Sequence, residues 1–111
     1  MPPSPEDRLT DMRDAIAEIE AFLQGSDFDQ FAADRGLRLI TERLLEIVCE
    51  AARHLPDRVK AEAKDIDWRA MLDFANRLRH AYPSTDSKIV WDILQNHLPA
   101  LKAFVESRFS E

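Results

Sequence analysis

Apolar side chains recur along this chain at steps of three and four, and no segment alternates with period two over strand length. Leu9, Met12, Ile16, Ile19 and Leu23 share one face of a helix at about 100° per residue. Ser4-Pro5-Glu6-Asp7 marks its start. The hydroxyl accepts from a free first-turn N–H, proline gives up an N–H that has no partner there, and two acids face the positive helix end. Gly25 ends it. The opposite face carries Asp11, Asp14 and Glu18 and is predicted to be plain solvated surface.

Ser26 to Ala33 is predicted to form one or two helical turns with Phe28 or Phe31 facing inward. A long helix follows from Asp34 to His54, its buried stripe formed by Leu37, Ile40, Leu44, Ile47, Val48, Ala51 and Leu55. Pro56-Asp57 breaks it, and a polar piece continues to Lys64. Asp67 caps a helix from Trp68 to Ala81, and Pro83 pushes Tyr82 out of helical geometry. Ser84 or Asp86 opens a helix with Ile89, Val90, Ile93 and Leu94. The last helix runs from Pro99 to Phe109 with Leu101, Phe104, Val105 and Phe109 as its apolar residues. The predicted fold is all-α: an antiparallel helical bundle of four main helices with short helical segments between them.

The 111 residues make one domain, residues 1–111, and 45% hydrophobic content gives it a core without staples. Only two glycines occur, which fits long helices better than a turn-rich sandwich. Apolar runs never exceed three residues, so no membrane span and no partnership with a membrane is expected. No secretory leader is expected from MPPSPEDRL, and a lone Cys49 fits a reducing, cytoplasmic setting.

The net charge of −6 is unevenly spread. Residues 1–34 hold 9 acids and 2 bases, whereas residues 35–111 hold 12 acids and 13 bases. A generic nucleic-acid coat is basic throughout, which excludes that class and leaves room for a small basic site inside an acidic shell. Phosphate loops, Cys-x-x-Cys pairs, nucleophile elbows and paired metal-spaced histidines are all missing. No metal site and no cofactor is expected.

The segment Asn76-Arg77-Leu78-Arg79-His80-Ala81-Tyr82 holds two arginines, a histidine and a tyrosine with no acid among them. On a helix, Arg69, Asp73, Asn76 and His80 share a polar arc with Arg77 close by, opposite Trp68, Met71, Leu72, Ala75 and Leu78. Histidine moves protons near neutral pH, arginine grips phosphate oxygens, and Asn76 sits one turn away, where it can orient the imidazole. Those groups suffice for metal-independent RNA cleavage: a base for the ribose 2′-hydroxyl, an acid for the leaving oxygen and a cation for the phosphorane. By spacing alone, the same arc also describes an ordinary solvated helix face. Trp68 and Trp91 fit core aromatics better than base-stacking platforms.

The order of features resembles the HepT-like branch of the HEPN superfamily, whose members partner MNT minimal nucleotidyltransferases. The pieces that carry the resemblance are Phe31 with Asp34, Leu45-Glu46-Ile47 leading to Glu50-Ala51-Ala52-Arg53, and Ile66-Asp67-Trp68. They continue through Asn76-x-Leu78-x-His80-x-Tyr82, Asp86, Val90-Trp91 and Leu98-Pro99-x-Leu101, so that Asp11 to Phe104 is covered. The resemblance implies a cytoplasmic ribonuclease toxin, a homodimer whose two motif helices face one another across a cleft. His80 matches the motif histidine and Tyr82 the tyrosine that MNT partners can modify with AMP. Asn76 matches the polar residue after the motif arginine. The arginine's own position, five before the histidine, is Ala75. Arg77 or Arg79 is left as the phosphate ligand, and Glu50 as a buttress of the cleft or a partner in a salt bridge. The rival class is a non-catalytic interaction module, or an accessory subunit that binds a nucleotidyltransferase.

Overall fold

Side-chain caps set where the helices begin. The computed structural model describes residues 3–80 and 86–109. Its helices are α1 (Pro5–Leu23), α2 (Phe28–Ala33), α3 (Arg35–Arg53), α4 (Asp57–Lys60), α5 (Trp68–Arg79), α6 (Ser87–Asn96) and α7 (Leu98–Phe109). Ser4 Oγ accepts from the Asp7 N–H at 3.1 Å while the Asp7 carboxylate accepts from the Ser4 N–H at 3.0 Å. Asp27 and Gln30 make the same reciprocal box ahead of α2. Asp34, Asp67 and Asp86 each accept a backbone N–H from the first turn of α3, α5 and α6. Each such cap is worth about 1 kcal/mol. Gly25, with φ of 77°, ends the first segment in the left-handed region that glycine enters freely.

The described residues form an all-α bundle, as the pattern predicts. α3 is its central member and packs against α1, α2 and α5. That position widens its buried arc beyond a single stripe. Leu44, Leu45, Val48, Cys49, Ala51 and Ala52 are buried, and so are Thr41 and Glu42. Ile40, expected inside, is instead 38% exposed. A helix flanked on two sides turns toward the average of its neighbours, and Ile40 falls outside that arc.

α7 runs antiparallel to α1: Lys102 reaches Glu20 at 2.9 Å, and the Arg13 guanidinium lies 4.2 Å from the centre of the Phe109 ring. α6 links α7 to α2 through Trp91, whose ring centre is 5.3 Å from that of Phe31 and 5.9 Å from that of Phe28. Of the two candidates in the short segment, Phe31 is fully buried and Phe28 half-buried. Trp68 packs edge-on against Phe104 at 5.6 Å, and its indole N–H donates to the carbonyls of Lys60 and Ala63, both at 3.1 Å. Both tryptophans therefore serve packing. No described helix is long and apolar enough to cross a membrane.

Candidate active site

α5 carries the motif segment. Met71, Ala75 and Leu78 seat one side of it in the core, and Asn76, Arg77, Arg79 and His80 face outward. Leu72, expected among the apolar residues, is 36% exposed. It lies next to the polar arc, past the edge of the face that α3 covers. The helix ends at Arg79, and His80 caps it with φ of −107° and ψ of 24°. Two arginines in the last turn sit favourably at the negative end of the helix dipole. Tyr82 lies outside the described residues.

The two arginines diverge. Positions 77 and 79 are about 160° apart around a helix. Arg77 points to the α6 side, where it lines a cleft with Leu78, His80, Ile89, Val90 and Ile93. Arg77 also lines the adjoining hollow with Asp73, Lys88 and Asp92. Arg79 points to the α3 side, where its Nη2 donates to Glu50 Oε2 at 2.6 Å. Glu50 Oε1 is 3.0 Å from His54 Nε2 and 3.5 Å from Arg53 Nη1. Partial burial works to raise the Glu50 pKa, but the hydrogen bonds from His54 and Arg79 and the charges of Arg79 and Arg53 outweigh it and hold the carboxyl below its ordinary 4.5.

Glu50 is thus the hub of an ion-pair cluster in which Arg79 is already engaged, and Arg77 is the arginine that shares a cleft with His80. The spacing of Arg53 and His54 from Glu50, three and four residues along α3, is visible in the sequence. The pairing with Arg79 across 29 positions is not. Asn76 is exposed one turn before His80. Ala75, where the motif arginine would stand, is 0% exposed.

The remaining histidines go elsewhere. His54 caps α3, and His97 caps α6 with its ring 4.9 Å from that of Phe74. No group of three or more His, Cys, Asp or Glu side chains fit to hold a metal ion occurs among the described residues. Cys49 is buried on α3. Among the described residues that line it, the cleft at the end of α5 brings together one histidine, His80, and one arginine, Arg77, while the carboxylates of Asp73 and Asp92 line the adjoining hollow.

A model of the HepT-like family, described as "Ribonuclease HepT-like", matches residues 12–108. The chain belongs to the HepT-like ribonuclease family. Among similar proteins is "Probable ribonuclease HepT" of Thermococcus cleftensis, 33% identical over 103 residues that cover 93% of this chain and 94% of that protein. "Putative RNase MJ1380" of Methanocaldococcus jannaschii is 26% identical over 98 residues, covering 88% of this chain and 90% of the relative. "Putative RNase TTE0752" of Caldanaerobacter subterraneus is 26% identical over 84 residues, 76% of this chain and 75% of the other. No solved structure matches the chain.

Proposed function

We propose that this protein is a metal-independent endoribonuclease of the toxin type, with His80 as its proton-transfer residue and Arg77 as its phosphate ligand. The observation that carries the reading is the cleft at the end of α5 that these two side chains share. A 2′-hydroxyl gives its proton to one imidazole and its oxygen attacks phosphorus. The P–O bond to the leaving 5′-oxygen breaks, and that oxygen takes a proton, leaving a 2′,3′-cyclic phosphate and a 5′-hydroxyl. Arg77 offsets the charge that gathers on the phosphorane oxygens. Asn76, one turn away, steadies the imidazole.

One histidine per chain supplies one end of this exchange, and a homodimer supplies both. Leu39 and Ile40 on α3 and Leu72 on α5 are large, apolar and exposed, which supports assembly with a second copy. The family resemblance adds an MNT-type nucleotidyltransferase partner that transfers AMP from ATP to Tyr82. An AMP there would stand two residues from His80 and repel RNA phosphates.

His80→Ala is expected to abolish cleavage of a single-stranded RNA panel, a loss of about 10²- to 10⁴-fold or more, with EDTA without effect on wild type. Full activity in the variant overturns the reading. The burial of Ala75 favours one alternative, a non-catalytic module that keeps the bundle and the partner surface after its motif arginine was replaced by packing. Folded wild type with no detectable cleavage would establish that alternative.

A further inference from the structure

We infer that the RNA-contacting surface extends beyond the α5 cleft onto the corner between α3 and α4, where Arg53, His54 and Lys60 take phosphates flanking the scissile one. The inference rests on the ribonuclease reading and names where the rest of the strand lies.

The corner meets the motif helix on the α3 side, through Arg79, so a strand that reaches both the corner and the cleft passes round the C-terminal end of α5, where His80 follows Arg79. Arg79 meets Glu50 at 2.6 Å, Glu50 meets His54 at 3.0 Å and Arg53 at 3.5 Å, and Lys60 Nζ donates to the Arg53 carbonyl at 3.3 Å. The side chains of Arg53, His54 and Arg79 are 38%, 45% and 43% exposed, so they are within reach of a ligand from solvent. Charge is in surplus here. Residues 50–60 hold Arg53, Arg58 and Lys60 against Glu50 and Asp57, and α5 adds Arg79, in a chain whose net charge is −6. A patch of that sign in an acidic protein attracts a polyanion locally, without a general affinity for one.

Structural duties leave most of this cationic capacity unused. An ammonium has three donors and a guanidinium five, while the Lys60 cap on α3 uses one. The corner is also held in place. Trp68, first residue of α5, donates its indole N–H to the carbonyls of Lys60 and Ala63, which ties the α4 turn to the helix that ends in His80. Donors fixed on rigid elements bind without a large ordering cost.

The test measures binding apart from cleavage. Single-stranded RNA with 2′-O-methyl riboses, which lack the nucleophile, is titrated with the full-length protein at several salt concentrations, using a 4-mer and a 12-mer. Arg53→Gln/Lys60→Gln keeps a donor at each position and removes both charges. It is expected to weaken 12-mer binding at least tenfold, to leave the 4-mer nearly unaffected, and to flatten the log-affinity against log-salt slope by about 1.4, at ~0.7 per lost phosphate contact. Lys102→Gln on α7 removes a charge elsewhere and is expected to leave 12-mer affinity unchanged. Arg53→Lys/Lys60→Arg keeps both charges and should bind as wild type; it also covers the case in which the glutamine pair fails to fold, since a tenfold loss there overturns the inference. Unchanged affinity and slope in a folded glutamine pair overturn the extension alone. Wild type that binds neither oligonucleotide overturns the extension and the ribonuclease reading together.

Discussion

Glu50 and Arg79 lie 29 positions apart in sequence and 2.6 Å apart in space, joining the last turns of α3 and α5. The pair shares its carboxylate with His54 and Arg53. A carboxylate held below its ordinary 4.5 contributes stability that is fully present above 4.5 and is lost as pH falls through the lowered value. Glu50→Gln is therefore expected to flatten the acid limb of a stability–pH curve, with the gap to wild type largest near neutrality and closing as pH falls below 4.5 through the lowered value. Urea midpoints between pH 3 and 7 check it; parallel curves would refute it.

Glu42, also on α3, has the opposite sign. Burial pushes its pKa above 4.5, against the pull of the Arg38 charge. An acid raised in the folded state costs stability as pH rises through its folded value. Glu42→Gln should stabilise the protein at pH 7, with an advantage that shrinks toward pH 4. A lower denaturation midpoint at pH 7 would count against this.

Restoring an arginine at the motif position should fail. Ala75 is 0% exposed and packs with Met71 and Leu78. A guanidinium forced into that space has no partner and is overlarge, at a cost of about 3 kcal/mol or more. Ala75→Arg is expected to lower the urea midpoint sharply with no gain in cleavage. A stable, more active variant would show that α5 can rotate to expose position 75.

Trp68→Phe keeps the ring and deletes the N–H that two carbonyls share. The expected loss is about 1–2 kcal/mol. Thermal unfolding several degrees below wild type would bear this out, and an unchanged midpoint would mean water replaces the indole at no cost.

Cys49 is 0% exposed, and burial, with the Glu50 charge adding to it, pushes the thiol up to about 12. At pH 8 it should ignore an aromatic disulfide reagent in the native protein and react once per chain in denaturant. Rapid labelling of folded protein would reveal local opening of α3.

Helix starts were legible where a cap is local chemistry: Ser4 and Asp67 each answer an N–H three residues on, and Asp86, one of the two starts the sequence offers for α6, answers one two residues on, while Ser84 lies outside the described residues. The outward face of α5 was legible for a similar reason, since the helical period fixes which residues share it. Helix faces that depend on neighbours were not. Ile40 and Leu72 fit apolar stripes, but only the placement of α3 and α5 among their partners decides that both meet solvent. Nor does sequence choose between Arg77 and Arg79. What separates the two in space is Glu50 on another helix, which pairs with Arg79, while Arg77 lines a cleft with His80.

The helix that bears His80 is tethered near both ends, by the indole of Trp68 at its first residue and by the guanidinium of Arg79 at its last. Two anchors on opposite ends of a rod resist twisting about its long axis, which one anchor cannot do. The direction in which the imidazole leaves the last turn is therefore set from within the bundle. Acid sufficient to protonate Glu50 would weaken the far anchor, while the indole anchor at Trp68, which carries no titratable group, would hold.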